Sequence, residues 1–139
     1  MPYKAQVQRR VACSRQKIFD ALMDFGAIAR LDPAHIATCR VEGEGVGAIR
    51  RFQLVGSEEE LAERLECAFD NRIFSYSVIT PNALGLEYYH AVVMLADAPH
   101  GGCDVTWGSN WFSRLTPDAE MVPLLNAMYV NLIDAMAAA

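Results

Sequence analysis

Hydrophobic positions along this chain keep two rhythms, and the places where the rhythm changes mark out its elements. Residues 3–12 alternate Val7, Arg9 and Val11 against Gln6, Gln8 and Arg10, the period of two that suits a half-exposed strand. Ser14 then stands ready to cap a helix whose apolar residues, Ile18, Phe19, Leu22 and Met23, are helically spaced and which should break near Asp24-Phe25-Gly26. A second short helix through Ala27–Leu31 should stop before Pro33, because a proline pushes the residue ahead of it out of the α region.

From residue 36 the period returns to two and stays there. Strands are predicted near 36–42, 46–54, 59–69, 72–80, 86–97 and 103–113, separated by turn chemistry at Glu42–Val46, Val55–Ser57, Asp70-Asn71, Thr80–Gly85 and Pro99–Gly102. Connections this short make antiparallel hairpins. Thr116-Pro117-Asp118 opens a closing helix over 117–137, with Leu124, Ala127, Met128, Leu132 and Ala135 at helical spacing. The pattern predicts an α+β fold: a curved antiparallel sheet of about seven strands wrapped around a long C-terminal helix, with two short helices after the first strand. A sheet that grips one helix commonly encloses a cavity, so function is expected in what the cavity holds.

Composition narrows the partners. A chain of 139 residues fits one domain, 1–139, without help from disulfides or a structural metal. Twelve Lys+Arg against 17 Asp+Glu give a net charge of −5 with no basic block, which argues against nucleic acid and against an anionic membrane surface. The N-terminal stretch lacks the apolar region of a signal peptide, and no apolar run reaches the roughly 18 residues of a membrane span, so a cytoplasmic protein with no membrane insertion is expected. Cys13, Cys39, Cys67 and Cys103 form no C-x-x-C pair and read as buried thiols. His35, His90 and His100 lack metal-ligand spacing, so no metal site is expected. Gly43-x-Gly45-x-Gly47 leads straight into a strand and reads as a hairpin turn, not a phosphate loop, and Ser109 has no evident His–Asp partners for a hydrolase nucleophile.

Strand parity identifies candidate cavity residues, since alternate side chains point to opposite faces. One face of the 46–54 strand carries Ala48, Arg50, Phe52 and Leu54; the other carries Ile49, Arg51 and Gln53. One face of the 59–69 strand carries Leu61, Glu63, Leu65, Cys67 and Phe69. Arg50 and Glu63 are each the lone charge on an apolar face, and a hairpin would let them meet, either as a brace for the sheet or as a polar anchor for a ligand. Phe74, Tyr76 and Val78, and Val105, Trp107, Ser109 and Trp111, place large aromatics on one face, which suits a pocket wall and a plain core alike. On the 86–97 strand Tyr89, Ala91, Val93 and Leu95 are as apolar as Tyr88, His90, Val92 and Met94, and the pattern does not choose between them.

The segments ACSRQKIFDALMDFGAIARLDP, GVGAIRRF, ERLE and VTW together resemble the SRPBCC superfamily of START-related helix-grip proteins, and within it the polyketide cyclase/dehydrase-like branch. The resemblance implies an inward Arg50 and Glu63, puts Tyr76 and Tyr89 on the pocket wall, turns Trp107 toward the helix and directs Asn131 inward on a stripe with Pro123, Leu124, Ala127 and Met128. Where relatives often have an aromatic before the second-helix proline, this chain has Leu31-Asp32-Pro33, followed by His35. Asp32 and His35 could form an acid/base dyad at the pocket mouth or simply cap a solvated loop. Val92 and Met94, if outward, offer a narrow apolar strip on which a homodimer could form.

Two functions fit. In one, a cofactor-independent cyclase, dehydratase or lyase acts on an aromatic or polyketide-like carbonyl compound, with Glu63 as acid/base and Arg50 and Tyr76 stabilising an enolate or oxyanion. In that reading Phe52, Tyr89, Trp107, Trp111, Ala127, Met128, Asn131, Asp32 and His35 contact the ligand. In the other, the chain carries or senses a lipid or other hydrophobic ligand without turnover, which needs only volume and an anchor.

Overall fold

A computed structural model describes residues 3–79, 81, 82 and 84–139. Thr80 and Ala83, which belong to the turn expected at Thr80–Gly85, lie outside the described residues together with the first two. The elements follow the order β1 (Ala5–Val11), α1 (Arg15–Met23), α2 (Ile28–Leu31), β2 (Ile36–Glu42), β3 (Ile49–Leu54), β4 (Glu60–Phe69), β5 (Ile73–Val78), β6 (Leu86–Ala98), β7 (Gly102–Ser113) and α3 (Asp118–Ala138). The sheet has seven strands in the order β1-β7-β6-β5-β4-β3-β2, and every neighbouring pair runs antiparallel. Consecutive strands from β2 to β7 are neighbours in the sheet, while β1 closes against β7 and leaves α1 and α2 to cross between the two sheet edges.

Local chemistry explains the boundaries. The Ser14 hydroxyl accepts the Lys17 backbone N–H at 3.1 Å and caps α1. Gly43, Gly45 and Gly47 all take positive φ (85°, 65° and 93°), so the glycine triplet is the price of the β2–β3 turn and delays β3 to Ile49. Bulges interrupt the register between Leu65 and Cys67 in β4 and between Glu87 and His90 in β6, and extra residues of this kind bend a strand.

These bulges also decide parity. Leu61, Glu63 and Leu65 face inward as alternation requires, but past the bulge Phe69 is exposed and Cys67 only half-buried, whereas strict alternation puts both inside. A one-residue slip moves every later side chain to the other face. In β6 the bulge holds Tyr88 outward at φ 53° and sets Leu86, Tyr89, Ala91, Val93 and Leu95 inward, which settles the strand the pattern left open. Met94 is then outward and exposed and Val92 half-buried.

α3 lies against the concave face through Met121, Leu125, Tyr129, Leu132, Ile133 and Met136. The expected stripe of Leu124, Ala127, Met128, Leu132 and Ala135 is rotated from this: Ala127 and Pro123 are exposed, and Leu124, Met128 and Ala135 are half-buried. The helix is apolar on nearly every side, so its own periodicity marks no unique face. It is long and apolar enough to cross a membrane by composition, yet here its buried face is the partner of the sheet. Arg9 of β1 grips Asp134 with paired bonds at 2.9 and 2.7 Å, and Lys17 of α1 reaches the Ala137 carbonyl at 3.1 Å, so both neighbouring elements hold its C-terminal half.

Candidate functional site

The site is built on the β3–β4 hairpin, whose register sets Arg50 directly opposite Glu63. Arg50 is 5% and Glu63 6% exposed, and the guanidinium Nε donates to Glu63 Oε1 at 2.8 Å with Nη2 also 2.8 Å from the same oxygen. Arg50 Nη1 donates to the Phe25 carbonyl at 3.3 Å. The guanidinium lies over two rings, 4.1 Å from the Phe25 centroid and 4.7 Å from that of Tyr76. Cation–π contact with both rings helps offset the desolvation of the charge. Among the described residues, Glu63 Oε2 accepts no hydrogen bond. Burial pushes the Glu63 carboxyl up from its ordinary value, and Arg50 pulls it back only in part.

The next strands add a layer of hydroxyls. Trp107 Nε1 donates to the Tyr76 hydroxyl at 3.1 Å, and the Trp107 ring lies flat on Tyr129, 5.1 Å between centroids at 12°. Tyr89 and Tyr129 are hydrogen-bonded hydroxyl to hydroxyl, and Ser109 Oγ lies 2.6 Å from the Tyr129 oxygen. Burial raises the pKa of all three tyrosines well above the ordinary phenol value, so they are neutral hydrogen-bonding groups across the physiological range.

Between this layer and α3 is a cavity of about 40 Å³, measured as the space open to the centres of water molecules. One water needs roughly 10–15 Å³ in that measure, so the space holds a few waters. Its polar lining is Arg50, Glu63, Tyr76, Tyr89 and Tyr129; its apolar lining includes Phe52 of β3, Ile28 of α2, Ile36 of β2, Leu86 of β6 and Leu125, Met128 and Leu132 of α3.

The expected site residues thus divide into three groups. Arg50, Glu63, Tyr76, Phe52, Tyr89 and Met128 converge on the cavity. Asp32, His35 and Asn131 converge on one another beside it: Asn131 Nδ2 donates to Asp32 Oδ1 at 3.0 Å, and His35 Nδ1 lies 3.1 and 3.0 Å from the two Asp32 oxygens. Asp32 is 1% exposed, so this is a buried clasp between the end of α2 and α3, with Ile28 and Ile36 on one flank and Met128 and Leu132 on the other reaching the cavity. Trp107, Trp111 and Ala127 stand apart from the cavity. Trp107 supports Tyr76 and Tyr129 from behind, and Trp111 stacks on Tyr89 at 6.3 Å, its buried Nε1 without a partner among the described residues. Ala127 is on the exposed side of α3.

Sequence reasoning missed Tyr129 as a lining residue and Ser109 as its partner. The signal was present: Met121, Leu125, Tyr129 and Ile133 recur every four residues, a stripe as good as the one preferred. Among the described residues no group of His, Cys, Asp and Glu is arranged to hold a metal ion.

Comparison with solved structures places this architecture. Norcoclaurine synthase from Thalictrum flavum, solved in complex with dopamine and hydroxybenzaldehyde, superposes with a TM-score of 0.76 at 18% identity over 96% of this chain and 83% of its own. The protein XoxI from Bacillus cereus gives 0.76 at 16% identity over 96% and 94%. A protein from Thermobifida fusca gives 0.76 at 23% identity over 96% and 89%. At these identities the likeness establishes the fold. A sequence search of functionally curated proteins finds no match. The family described as polyketide cyclase / dehydrase and lipid transport matches residues 2–139, and with the helix-gripping sheet and its inward Arg50–Glu63 pair in place, the chain belongs to that family of the SRPBCC superfamily.

Proposed function

We propose that this protein binds a compact, mostly apolar carbonyl compound between the sheet and α3 and moves a proton on it without a cofactor. The observation that carries the reading is Glu63: a buried carboxyl on the cavity wall with one oxygen held by Arg50 and the other, Oε2, accepting no hydrogen bond among the described residues. A carboxyl raised by burial is a better base than one in water, and a neighbouring neutral phenol can donate to the carbonyl oxygen as charge develops there. Tyr76 suits that role, since its oxygen already accepts from Trp107 and its own proton remains to be given. In the proposed step Glu63 Oε2 takes a hydrogen from the carbon next to the carbonyl, the C–H electron pair becomes the enolate π bond, and the oxygen accepts from Tyr76. Return of the proton to another position completes an isomerisation or starts a cyclisation. The narrow cavity favours a substrate near the size of one ring, admitted by shifts of the unbranched Met128 and the leucines around it.

The carrier reading has its own support, because Arg50 holds Glu63 as an ion pair and a carrier needs only such an anchor. The two part in one experiment. Phenylacetaldehyde in D₂O is followed by ¹H NMR for exchange of its α-hydrogens, with binding read from tyrosine and tryptophan fluorescence. The proposal expects exchange accelerated by the wild type and abolished in Glu63→Gln. Binding with no accelerated exchange makes the protein a carrier. A cytoplasmic site of action belongs to the same reading, supported by four cysteines that stand as free thiols.

A further inference from the structure

The sheet that walls the cavity parts at one end. The ladder between β5 and β6 stops where Ser77 faces His90. Beyond that pair β5 stays with β4, with Val78 opposite Glu63 and the Ile79 N–H bonded to the Ala62 carbonyl at 2.9 Å, while β6 stays with β7, with Leu86 and Glu87 opposite Ser113 and Phe112. The gap between the two strand ends is an open groove of about 620 Å³ in the measure used for the cavity. Val78 and Ile79 line one side, Leu86, Glu87 and Tyr88 the other, and Leu115 reaches it from the connection to α3. A turn separates this groove from the cavity. Leu84 and Leu86 line the cavity, Asn82, Gly85 and Glu87 line the groove, and Leu86 lines both, so this part of the wall is one residue thick. The Asn82 side chain holds it shut in place of a neighbouring strand: Oδ1 accepts the Leu84 and Leu86 N–H groups at 3.1 and 3.2 Å, and Nδ2 donates to the Leu86 carbonyl at 3.2 Å.

Size and chemistry say what the groove suits. The cavity has room for a few waters, so a ligand longer than its carbonyl head has to extend through the wall. The groove on the other side is far larger, and its apolar side chains stand in water: Tyr88 is 83% and Leu115 70% exposed. Arg114 at its edge is paired with Glu87 at 2.7 Å, which suits the groove to an uncharged chain and not to an anion. We infer that this groove is a second subsite, which takes an unbranched alkyl chain attached to the carbonyl head at Glu63, and that Leu84 and Leu86 swing aside to join it to the cavity. The inference rests on the reading of the cavity as a carbonyl site and names its substrate class, alkyl carbonyl compounds; it is independent of Glu63 acting as a base. Each methylene laid against Val78, Ile79 and Leu115 leaves water and covers apolar surface that is otherwise wet, so affinity grows with the chain.

The test uses three methyl ketones of growing length, 2-butanone, 2-hexanone and 2-octanone. Each is titrated onto the wild type, Leu115→Asp and Phe69→Asp, with tyrosine and tryptophan fluorescence reading affinity, melting transitions showing that the variants are folded, and ¹³C-methyl NMR of the wild type locating the ligand. Affinity for the wild type should rise about two- to fourfold per added methylene. 2-Octanone should shift the methyl signals of Val78, Ile79 and Leu115 as well as those of Met128 and Leu132, and 2-butanone the last two without the first three. In Leu115→Asp the rise over the series should shrink about fivefold or more, because the chain would strip water from a carboxylate. Phe69 is comparably exposed, at 66%, but stands at the far end of β4, and Phe69→Asp should keep the wild-type rise. No rise with chain length, a rise unchanged in folded Leu115→Asp, or bound 2-octanone that leaves the Val78, Ile79 and Leu115 methyls unshifted overturns the subsite and leaves the cavity standing. If Leu115→Asp does not fold, those wild-type methyl shifts decide. Failure of all three ketones to shift the Met128 and Leu132 methyls overturns the cavity as a ligand site and the subsite with it.

Discussion

Replacing Arg50 and Glu63 by methionine, singly and together, separates what the ion pair does for stability from what it does for binding. In Arg50→Met the Glu63 carboxylate stays about as buried and loses both guanidinium contacts at 2.8 Å; in Glu63→Met the guanidinium keeps the Phe25 carbonyl and its two ring faces but loses its counter-charge. Removing one partner of a buried pair costs about 3–5 kcal/mol, and an apolar replacement of both is close to neutral or stabilising. For a domain of this size each kcal/mol moves the melting temperature by roughly 3–5 °C, so each single variant should melt about 10–20 °C low. The double variant should return to within about 2 kcal/mol of wild type, since methionine packs on the Phe25 and Tyr76 rings in place of the guanidinium.

The pH dependence carries a second signature. Glu63 already protonates more readily in the folded chain than at its ordinary value of 4.5, and losing Arg50 removes the influence that opposed this. A carboxyl raised on folding contributes stability that is full below the ordinary value and is lost as pH climbs through the raised one. Arg50→Met should therefore be more stable near about pH 5 than near about pH 8, with a steeper loss than the wild type. Urea denaturation of the four proteins at both pH values, with α-hydrogen exchange of phenylacetaldehyde, reads all of this. A double variant as unstable as the sum of the two singles would refute the buried-pair reasoning, and one that exchanges those hydrogens like wild type would make the pair scaffolding alone.

Three further outcomes follow from single contacts. Asp32→Ala removes the acceptor of Asn131 and His35 and should lower stability by about 2–3 kcal/mol in urea, with loss of under about 1 kcal/mol speaking against the clasp. Gly102→Ala has an ordinary φ of −80°, yet a Cβ there would approach the Val11 carbonyl to 2.7 Å, so about 1–3 kcal/mol should be lost from backbone crowding where β1 meets β7; a neutral result in thermal melting would refute that contact. Trp111→Phe gives up indole packing but also a buried N–H with no partner among the described residues, and the two should cancel to within about 1 kcal/mol; a loss above about 3 kcal/mol would mean that Nε1 has a partner.

Much of this protein is legible along the chain because strands, turns and caps answer to neighbours a few residues away. The Ser14 cap, the stop before Pro33, the glycine triplet at 43–47 and the antiparallel hairpins all follow from local backbone chemistry. So does the facing of Arg50 and Glu63, since a short hairpin and a period of two bring two lone charges to one side. Where the chain departs from these rules only the assembled structure decides. A bulge inserts one residue on the evidence of the partner strand, and so Phe69 turns out and Tyr89 in against equally apolar neighbours. The last helix is apolar on nearly every side, and the concave sheet, not its periodicity, chose the stripe containing Tyr129. The Ser109–Tyr129–Tyr89 layer and the Asp32–His35–Asn131 clasp join residues from distant elements, where partnership is set by the packing of helix on sheet and leaves no mark on local spacing. The cavity itself is what remains after those side chains have packed, so its existence follows from the fold class while its small size is a property of the packed interior alone.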